Sequence, residues 1–215
     1  VLSRALIPAN IEDAFKMAFI ESEVGMQYFG ITNQQVNAIQ SLTGSIYYPL
    51  SPLRCATGIL EQNRLGQPDL WKFGISGDFP IMLFRIRNDS QLDLLKEAVL
   101  AYEYLRKSGI NLDFVILNEE DDDYFQPLGR KISDMVNNSR IYYPHVKGVG
   151  IYILKSRSMS RDEVVLLLSV ARVVVPERYS IMGRSVARLL SEEVHVRQNR
   201  LIPFCKRQYE AIPLP

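Results

Sequence analysis

The feature that most constrains the fold is an alternation of short apolar runs with longer amphipathic segments over residues 80–175. Three runs have the length and composition of buried strands, at residues 81–86, 112–117 and 150–154. Three other segments carry apolar side chains at helical spacing, at residues 90–107, 128–136 and 160–175. Strands that alternate with helices pair in parallel through crossover connections. The sequence therefore predicts an α/β fold with a small, mostly parallel βαβαβα sheet layer.

Helices are predicted on both sides of this α/β region. Thr32 and Gln35 form a capping-box pattern, which begins a helix that reaches about residue 47. The remaining predicted helices are at residues 10–29, 53–62 and 180–194. We expect a helical N-terminal segment at 1–66, an α/β domain at 67–200 that forms one compact unit with it, and an extended linker at 201–215.

Composition narrows the class of protein. Lys and Arg total 25 and Asp and Glu total 24, so a net charge of +1 gives no basis for expecting nucleic acid or an anionic membrane as partner. Cys55 and Cys205 are far apart in sequence, which favours a reducing, cytoplasmic location over a disulfide framework. His145 and His195 are too few for a His-rich metal site. We expect no metal and no cofactor. We also expect no membrane span, because the apolar stretches are short.

Neither end of the sequence resembles the natural terminus of a complete protein. Val1 opens a segment without the apolar core of a signal peptide, and residues 211–215 read as a Pro-containing linker. We therefore expect this chain to be a piece of a longer protein.

Residues 74–80 form the sharpest local feature, with two glycines, a hydroxyl and a carboxylate just before a strand. A functional interpretation is a loop that binds a sugar or a phosphate through its N–H groups, with Ser76 and Asp78 as polar contacts. Phosphate loops of common α/β folds follow a strand and open a helix, however, whereas this loop precedes a strand. A purely structural turn is the alternative.

Asn118 and a run of five acids at residues 119–123 follow the second predicted strand. Ligands of α/β proteins bind at the carboxyl ends of strands, which makes Asn118 and Glu119 candidates for a site. A solvated charged loop is the alternative, since the run lacks the spacing of a calcium loop. Trp71 has a flat apolar face that suits a sugar ring, with a core aromatic as its alternative.

Several motifs occur together in a fixed order. They are Tyr28-Phe-Gly-Ile-Thr-Asn-Gln-Gln35, Ser45-Ile-Tyr-Tyr-Pro49, Leu53-Arg54, Leu70-Trp-Lys-Phe-Gly-Ile-Ser-Gly-Asp-Phe-Pro-Ile81 and Leu112-Asp-Phe-Val-Ile-Leu-Asn118. Their order and spacing resemble the cyclic β-1,2-glucan synthase and 1,2-β-oligoglucan phosphorylase group, large bacterial proteins related to cellobiose phosphorylase. The resemblance runs from about residue 14 to 190. With Arg54 from one of these motifs, the candidate substrate-binding residues are Arg54, Trp71, Ser76, Asp78, Asn118 and Glu119.

The resemblance implies that the chemistry lies outside this chain. In that group an Asp in an (α/α)₆ barrel is the general acid and phosphate attacks with inversion, and the barrel lies C-terminal to the segment seen here. No position matches the catalytic Asp motif, so no catalytic residue is assigned. Phe79, Phe84 and the acidic run at 120–123 depart from the group's pattern.

The first hypothesis is a non-catalytic accessory or scaffold domain of a glycosyltransferase or inverting glycoside phosphorylase that acts on β-1,2-glucan. Its partners would be neighbouring domains of the same polypeptide, with a β-glucan oligosaccharide and phosphate bound by the parent enzyme, and homo-oligomerisation is left open. The alternatives are a carbohydrate-binding module with Trp71, Asp78 and Asn118 in one cleft, or an independent small α/β enzyme that uses Asp78 or Glu119.

Overall fold

The computed structural model describes residues 8–120, 127–139, 150–175 and 180–182, with no side chains described at residues 8 and 9. The helices are α1 (Pro8–Phe29), α2 (Asn33–Tyr47), α3 (Thr57–Gln62), α4 (Pro68–Trp71), α5 (Leu92–Lys107), α6 (Pro127–Asn137) and α7 (Arg161–Val170). The strands are β1 (Ile81–Ile86), β2 (Asp113–Asn118), β3 (Ile151–Lys155) and β4 (Ala171–Val175).

The four strands form one sheet in the order β3-β2-β1-β4, and every neighbouring pair is parallel. Helices α5, α6 and α7 lie between consecutive strands in the sequence, as parallel pairing requires. The α/β class, the N-terminal helices and the parallel sheet predicted from the alternation are thus confirmed.

The fourth strand corrects the prediction of one helix over residues 160–175. Ser160 caps α7 as expected, and its side chain accepts from the N–H of Glu163, but the helix ends at Val170 and the chain passes straight into β4. Residues 173–175 are three consecutive valines, whose branched side chains suit a pleated strand. Pairing with β1 supplies hydrogen bonds that helical spacing alone could not predict.

The sheet is covered on both faces. Met82, Phe84 and Ile86 point into one core with α1, α2, α5 and α6, and all three side chains are fully buried. Leu83 and Leu117 point to the other face, into a second core with α3, α4 and α7. A central strand that is apolar on both sides is typical of parallel sheets.

The N-terminal helices follow the sequence with one change. The capping box of α2 is confirmed, since the Gln35 N–H donates to Thr32 Oγ1 and the Thr32 N–H donates to Gln35 Oε1. The predicted helix over 53–62 is instead a 3-10 turn at Ser51–Leu53, followed by α3. Arg54 between them has extended backbone, and its side chain donates to the carbonyl of Ser169.

Some predictions fall outside the described residues. They concern His145, His195, Asp121–Asp123, the linker at 201–215 and all but the first three residues of the helix predicted over 180–194. Residues 180–182 form a bend, with Ile181 and Met182 buried against the first core. Among the described helices, none has both the length and the apolar character needed to cross a membrane.

Candidate functional site

The candidate residues lie at opposite ends of the sheet. Four of them gather at the amino end of the strands: Arg54, Trp71, Ser76 and Asp78. Asn118 ends β2 at the other end, beside Ile86, and Glu119 follows it. A strand of this length spans about 17 Å from Ile81 to Ile86. Asp78 therefore shares no cleft with Asn118 or Glu119. The predicted sugar cleft and the predicted small enzyme both required such a shared cleft.

The loop between α4 and β1 is held by its own polar groups. The carbonyl of Ser76 accepts from Gln67 Nε2 at 2.9 Å and from Trp71 Nε1 at 3.3 Å. Gln67 Nε2 also donates to Asp78 Oδ1 at 3.2 Å, and the Asp78 N–H donates to Ser76 Oγ at 3.2 Å. Three of the predicted residues thus belong to one network, which Gln67 completes.

Trp71 is not a core aromatic. Its residue is 61% exposed, while the indole N–H is fixed on the Ser76 carbonyl. The ring is therefore presented to solvent in one orientation, as the sugar-stacking interpretation requires.

Two glycines give this loop its shape. Gly74 and Gly77 both have φ of 76°, a conformation that L side chains rarely adopt. At Gly77 an added Cβ would lie 2.8 Å from Gln67 Cγ and 3.2 Å from Leu70 Cδ1. Gly77 therefore allows both the turn and the close approach of Gln67.

A pocket of about 540 Å³ opens beside the loop, at the amino ends of β1 and β4. The polar residues that line it are Arg54, Gln67, Asp78, Ser169 and Arg172. We refer to this cavity as the amino-end pocket. Arg54 and Asp78 were predicted from the sequence; Gln67, Ser169 and Arg172 were not.

The junction of α7 and β4 forms one wall of the amino-end pocket. Arg54 Nη2 donates to the Ser169 carbonyl at 2.8 Å, whereas Ser169 Oγ is buried and has no hydrogen-bond partner among the described residues. The register of β4 against β1 shifts at this point, from Ile81 opposite Ala171 to Met82 opposite Val173. Arg172 is the extra residue, and it is exposed.

Glu119 serves as an ion-pair centre at the carboxyl end. Arg85 donates to both of its oxygens, with Nε to Oε1 at 2.9 Å and Nη2 to Oε2 at 3.0 Å. Arg87 Nε donates to Oε2 at 2.8 Å. This bidentate arrangement links the ends of β1 and β2, which suits a structural tie better than proton transfer.

Asn118 and Glu120 position the start of α6. Asn118 Oδ1 accepts from the Glu120 N–H at 2.9 Å. The Glu120 carboxylate then accepts from the N–H groups of Leu128 and Gly129 at 3.1 and 3.3 Å. A carboxylate at a helix N-terminus satisfies free N–H groups and complements the helix dipole. The first two acids of the run are therefore bound within the fold rather than merely solvated.

Asp113, which sequence reasoning did not single out, is a fully buried carboxyl at the start of β2. Its Oδ1 accepts from the Gly150 N–H at 3.3 Å, and its Oδ2 has no hydrogen-bond partner within the part of the chain that the structure describes. Burial raises the pKa of Asp113 to about 6, against the opposing effects of the Gly150 N–H and Arg106, while Asp78 adds to the rise. No group of three or more His, Cys, Asp or Glu side chains is placed to hold a metal within the ranges the structure describes.

Comparison with known proteins supports the resemblance in part. No protein-family model matches the chain. Over 180 residues it is 32% identical to the cyclic β-(1,2)-glucan synthase NdvB of Rhizobium meliloti (strain 1021). The match covers 81% of this chain but 6% of that protein. The chain is thus related to a small segment of a cyclic β-1,2-glucan synthase.

Replacing Gly77 by Ala should destabilise the chain by about 1–3 kcal/mol, because the residue has a positive φ and Gln67 would have to move. The matched control is Gly44→Ala in α2, where a methyl group meets nothing within 4 Å. That change should stabilise by roughly 0.5–1 kcal/mol through helix propensity. Urea unfolding of both variants measures the difference; equal effects would contradict the argument.

Replacing Asp113 by Asn should remove a pH-dependent part of the stability. The folded state holds the Asp113 proton more tightly than the unfolded state, since burial raises its pKa from 3.8 to about 6. The wild type should therefore lose stability relative to Asp113→Asn as pH rises from about 4 to about 6, by on the order of 1–3 kcal/mol. Urea midpoints measured across this range test it. Parallel pH curves for the two proteins would refute it.

Proposed function

We propose that this chain is a non-catalytic accessory domain of a large bacterial protein that acts on β-1,2-glucan, either a glycosyltransferase or an inverting glycoside phosphorylase. Its role is to pack against neighbouring parts of the same polypeptide. The similarity to a small segment of a glucan synthase supports the context, because the chain spans 6% of that protein's length. A cytoplasmic location accords with the free thiol of Cys55.

The observation that carries this proposal is the exposed apolar surface of α1. Seven large apolar side chains on this helix have residue exposures between 45% and 74%: Ile11, Phe15, Met17, Phe19, Ile20, Val24 and Tyr28. At helical spacing Ile11, Phe15 and Phe19 share one face of α1, while Met17, Ile20, Val24 and Tyr28 share the opposite face. Exposed apolar surface on this scale marks an interaction site. Isolated exposed apolar residues would need no such explanation.

One exposed face of α1 continues the row of apolar side chains that this helix packs into the core. Met26 and Phe29 are 8% and 9% exposed, and the Phe29 ring meets Tyr104 of α5 edge-to-face at 6.0 Å. Phe15 and Phe19 lie on the same helical face as these two residues, but N-terminal to them. The core-facing stripe therefore extends past the edge of the described domain, where a neighbouring layer would complete it.

The charged residues of α1 indicate what kind of surface would cover this helix. Four acids and one lysine lie on α1, the acids being Glu12, Asp13, Glu21 and Glu23. The surface that covers α1 should be apolar at its centre and basic at its rim, because opposite charges at a rim steer association and exclude wrong partners.

Sugar binding is a second candidate function. It is favoured by Trp71, whose exposed ring is fixed through the Ser76 carbonyl. An aromatic ring held in one orientation loses little rotamer entropy when a ligand stacks on it. This function and packing through α1 use different surfaces, so both can hold.

The double change Phe15→Ser and Phe19→Ser should separate packing from folding. In the 215-residue chain we expect the free energy of unfolding to change by no more than about 0.5 kcal/mol, since both side chains are exposed. In the long parent protein the same change should lower the thermal midpoint. Tyr48→Ser, at a residue that is 79% exposed outside α1, is the control and should leave both proteins unchanged.

Two results would contradict packing within one polypeptide. The first is a parent protein whose midpoint does not move. The second is a 215-residue chain that dimerises, with the double change making it monomeric by light scattering. That would assign α1 to contacts between copies.

The 215-residue chain should not degrade β-1,2-glucan. Asp78 and Glu119 lie at opposite ends of the sheet, whereas two carboxylates in glycoside cleavage stand about 5–10 Å apart. Incubation with phosphate and sophorose oligomers should release no glucose 1-phosphate and no free glucose, with an active phosphorylase as positive control. Turnover above the no-protein blank would overturn the non-catalytic role.

A further inference from the structure

We propose that the amino-end pocket binds a hydroxylated ring, one pyranose unit of a glycan. This inference goes beyond packing through α1, because a domain that only packs through that helix needs no ligand pocket. It also differs from the cleft expected from the sequence, since Asn118 and Glu119 play no part in it.

The lining combines hydrogen-bond donors with an acceptor. Arg54 donates one N–H to the Ser169 carbonyl, and a guanidinium has further N–H groups that can donate to a ligand. Arg172 adds a second guanidinium to the lining. Asp78 accepts at Oδ1 from Gln67, which leaves Oδ2 for a ligand. A sugar hydroxyl accepts from an arginine and donates to a carboxylate at once. An inorganic phosphate has no such complement to Asp78, whose charge would repel it.

Ser169 holds an arginine at the pocket wall. Its carbonyl accepts from Arg54 Nη2 at 2.8 Å, which fixes the guanidinium beside the cavity. The Ser169 Oγ is itself buried with no surface open to the cavity, so the hydrogen bonds to a ligand come from Arg54, Arg172 and Asp78.

The irregularity in β4 provides an independent sign. The extra residue in the register places Arg172 at the pocket, although a regular ladder would pair more residues with β1. Bulges are rare in parallel pairs and concentrate beside sites, where they redirect a side chain.

Size and apolar lining agree with a ring. A volume of about 540 Å³ falls within the roughly 300–1,000 Å³ of ligand pockets. Phe79, Pro80 and Leu70 supply apolar surface next to the polar groups. The faces of a pyranose are apolar and its edge is polar, which this combination matches.

The test is titration of the 215-residue chain with sophorose, followed by amide chemical shifts and calorimetry. Arg172→Gln should weaken binding about 5–10-fold through loss of a hydrogen bond to the sugar, with an unchanged thermal midpoint because the Arg172 side chain is exposed. Asp78→Asn should weaken it about tenfold or more. Asp89→Asn, at the carboxyl end of the sheet, is the matched control and should bind as the wild type.

Three outcomes of the sophorose titration would overturn the proposal. They are the absence of shifts at millimolar sophorose, unchanged affinity in both pocket variants, and loss of binding in Trp71→Ala alone, which would place the sugar on the exposed ring. Inorganic phosphate that binds where sophorose does not would make the pocket an anion site. None of these results bears on packing through α1, which is tested with Phe15 and Phe19.

Discussion

β1 is paired on both edges and covered on both faces, and the position of every other element depends on this. β2 and β4 supply its hydrogen-bond partners, while its side chains alternate into two separate cores. Burial of parallel strands on both sides is what makes helices necessary on each face. Because the strands share one direction, the loops that precede them meet at one end of the sheet and those that follow meet at the other. The two polar regions of the molecule are the result.

The two ends have different chemistry. At the carboxyl end, two carboxylates bind groups of the fold itself: Glu119 binds Arg85 and Arg87, and Glu120 caps α6. At the amino end, Arg172 is solvent-exposed and lines the amino-end pocket together with Arg54 and Asp78. Ligands of open α/β sheets are usually found at carboxyl ends. In this molecule that end is occupied by internal ion pairs, which is why our proposal for a ligand site turns to the other end.

Much of the fold follows from local sequence, because apolar spacing and capping residues act over a few positions. Thr32 and Ser160 capped helices where expected, and the first three strands formed where short apolar runs predicted them. β4 was missed since its valines also fit a helical stripe, and only pairing with β1 decides between the two. The orientation of the Trp71 ring is fixed by its hydrogen bond to the Ser76 carbonyl, a contact that spacing does not reveal.

The candidate site was less predictable for the same reason. Arg54 and Asp78 were found through motifs, but Ser169 and Arg172 join them only through the packing of α7 and the shifted register of β4. Asn118 and Glu119 follow a strand in sequence, which gave no indication that arginines of the neighbouring strand would engage them. Distances between residues far apart in sequence are set by tertiary structure, and a single sequence does not contain them.

The shifted register of β4 has a consequence for solubility. Among the strands that the structure describes, β4 is an outer one, and an outer strand offers its unpaired N–H and C=O groups as a template to other chains. An extra residue bends such a strand, and an exposed positive charge at the same position makes a flat approach costly. Arg172 thus gives this edge protection against the strand-to-strand aggregation to which a run of valines is otherwise prone.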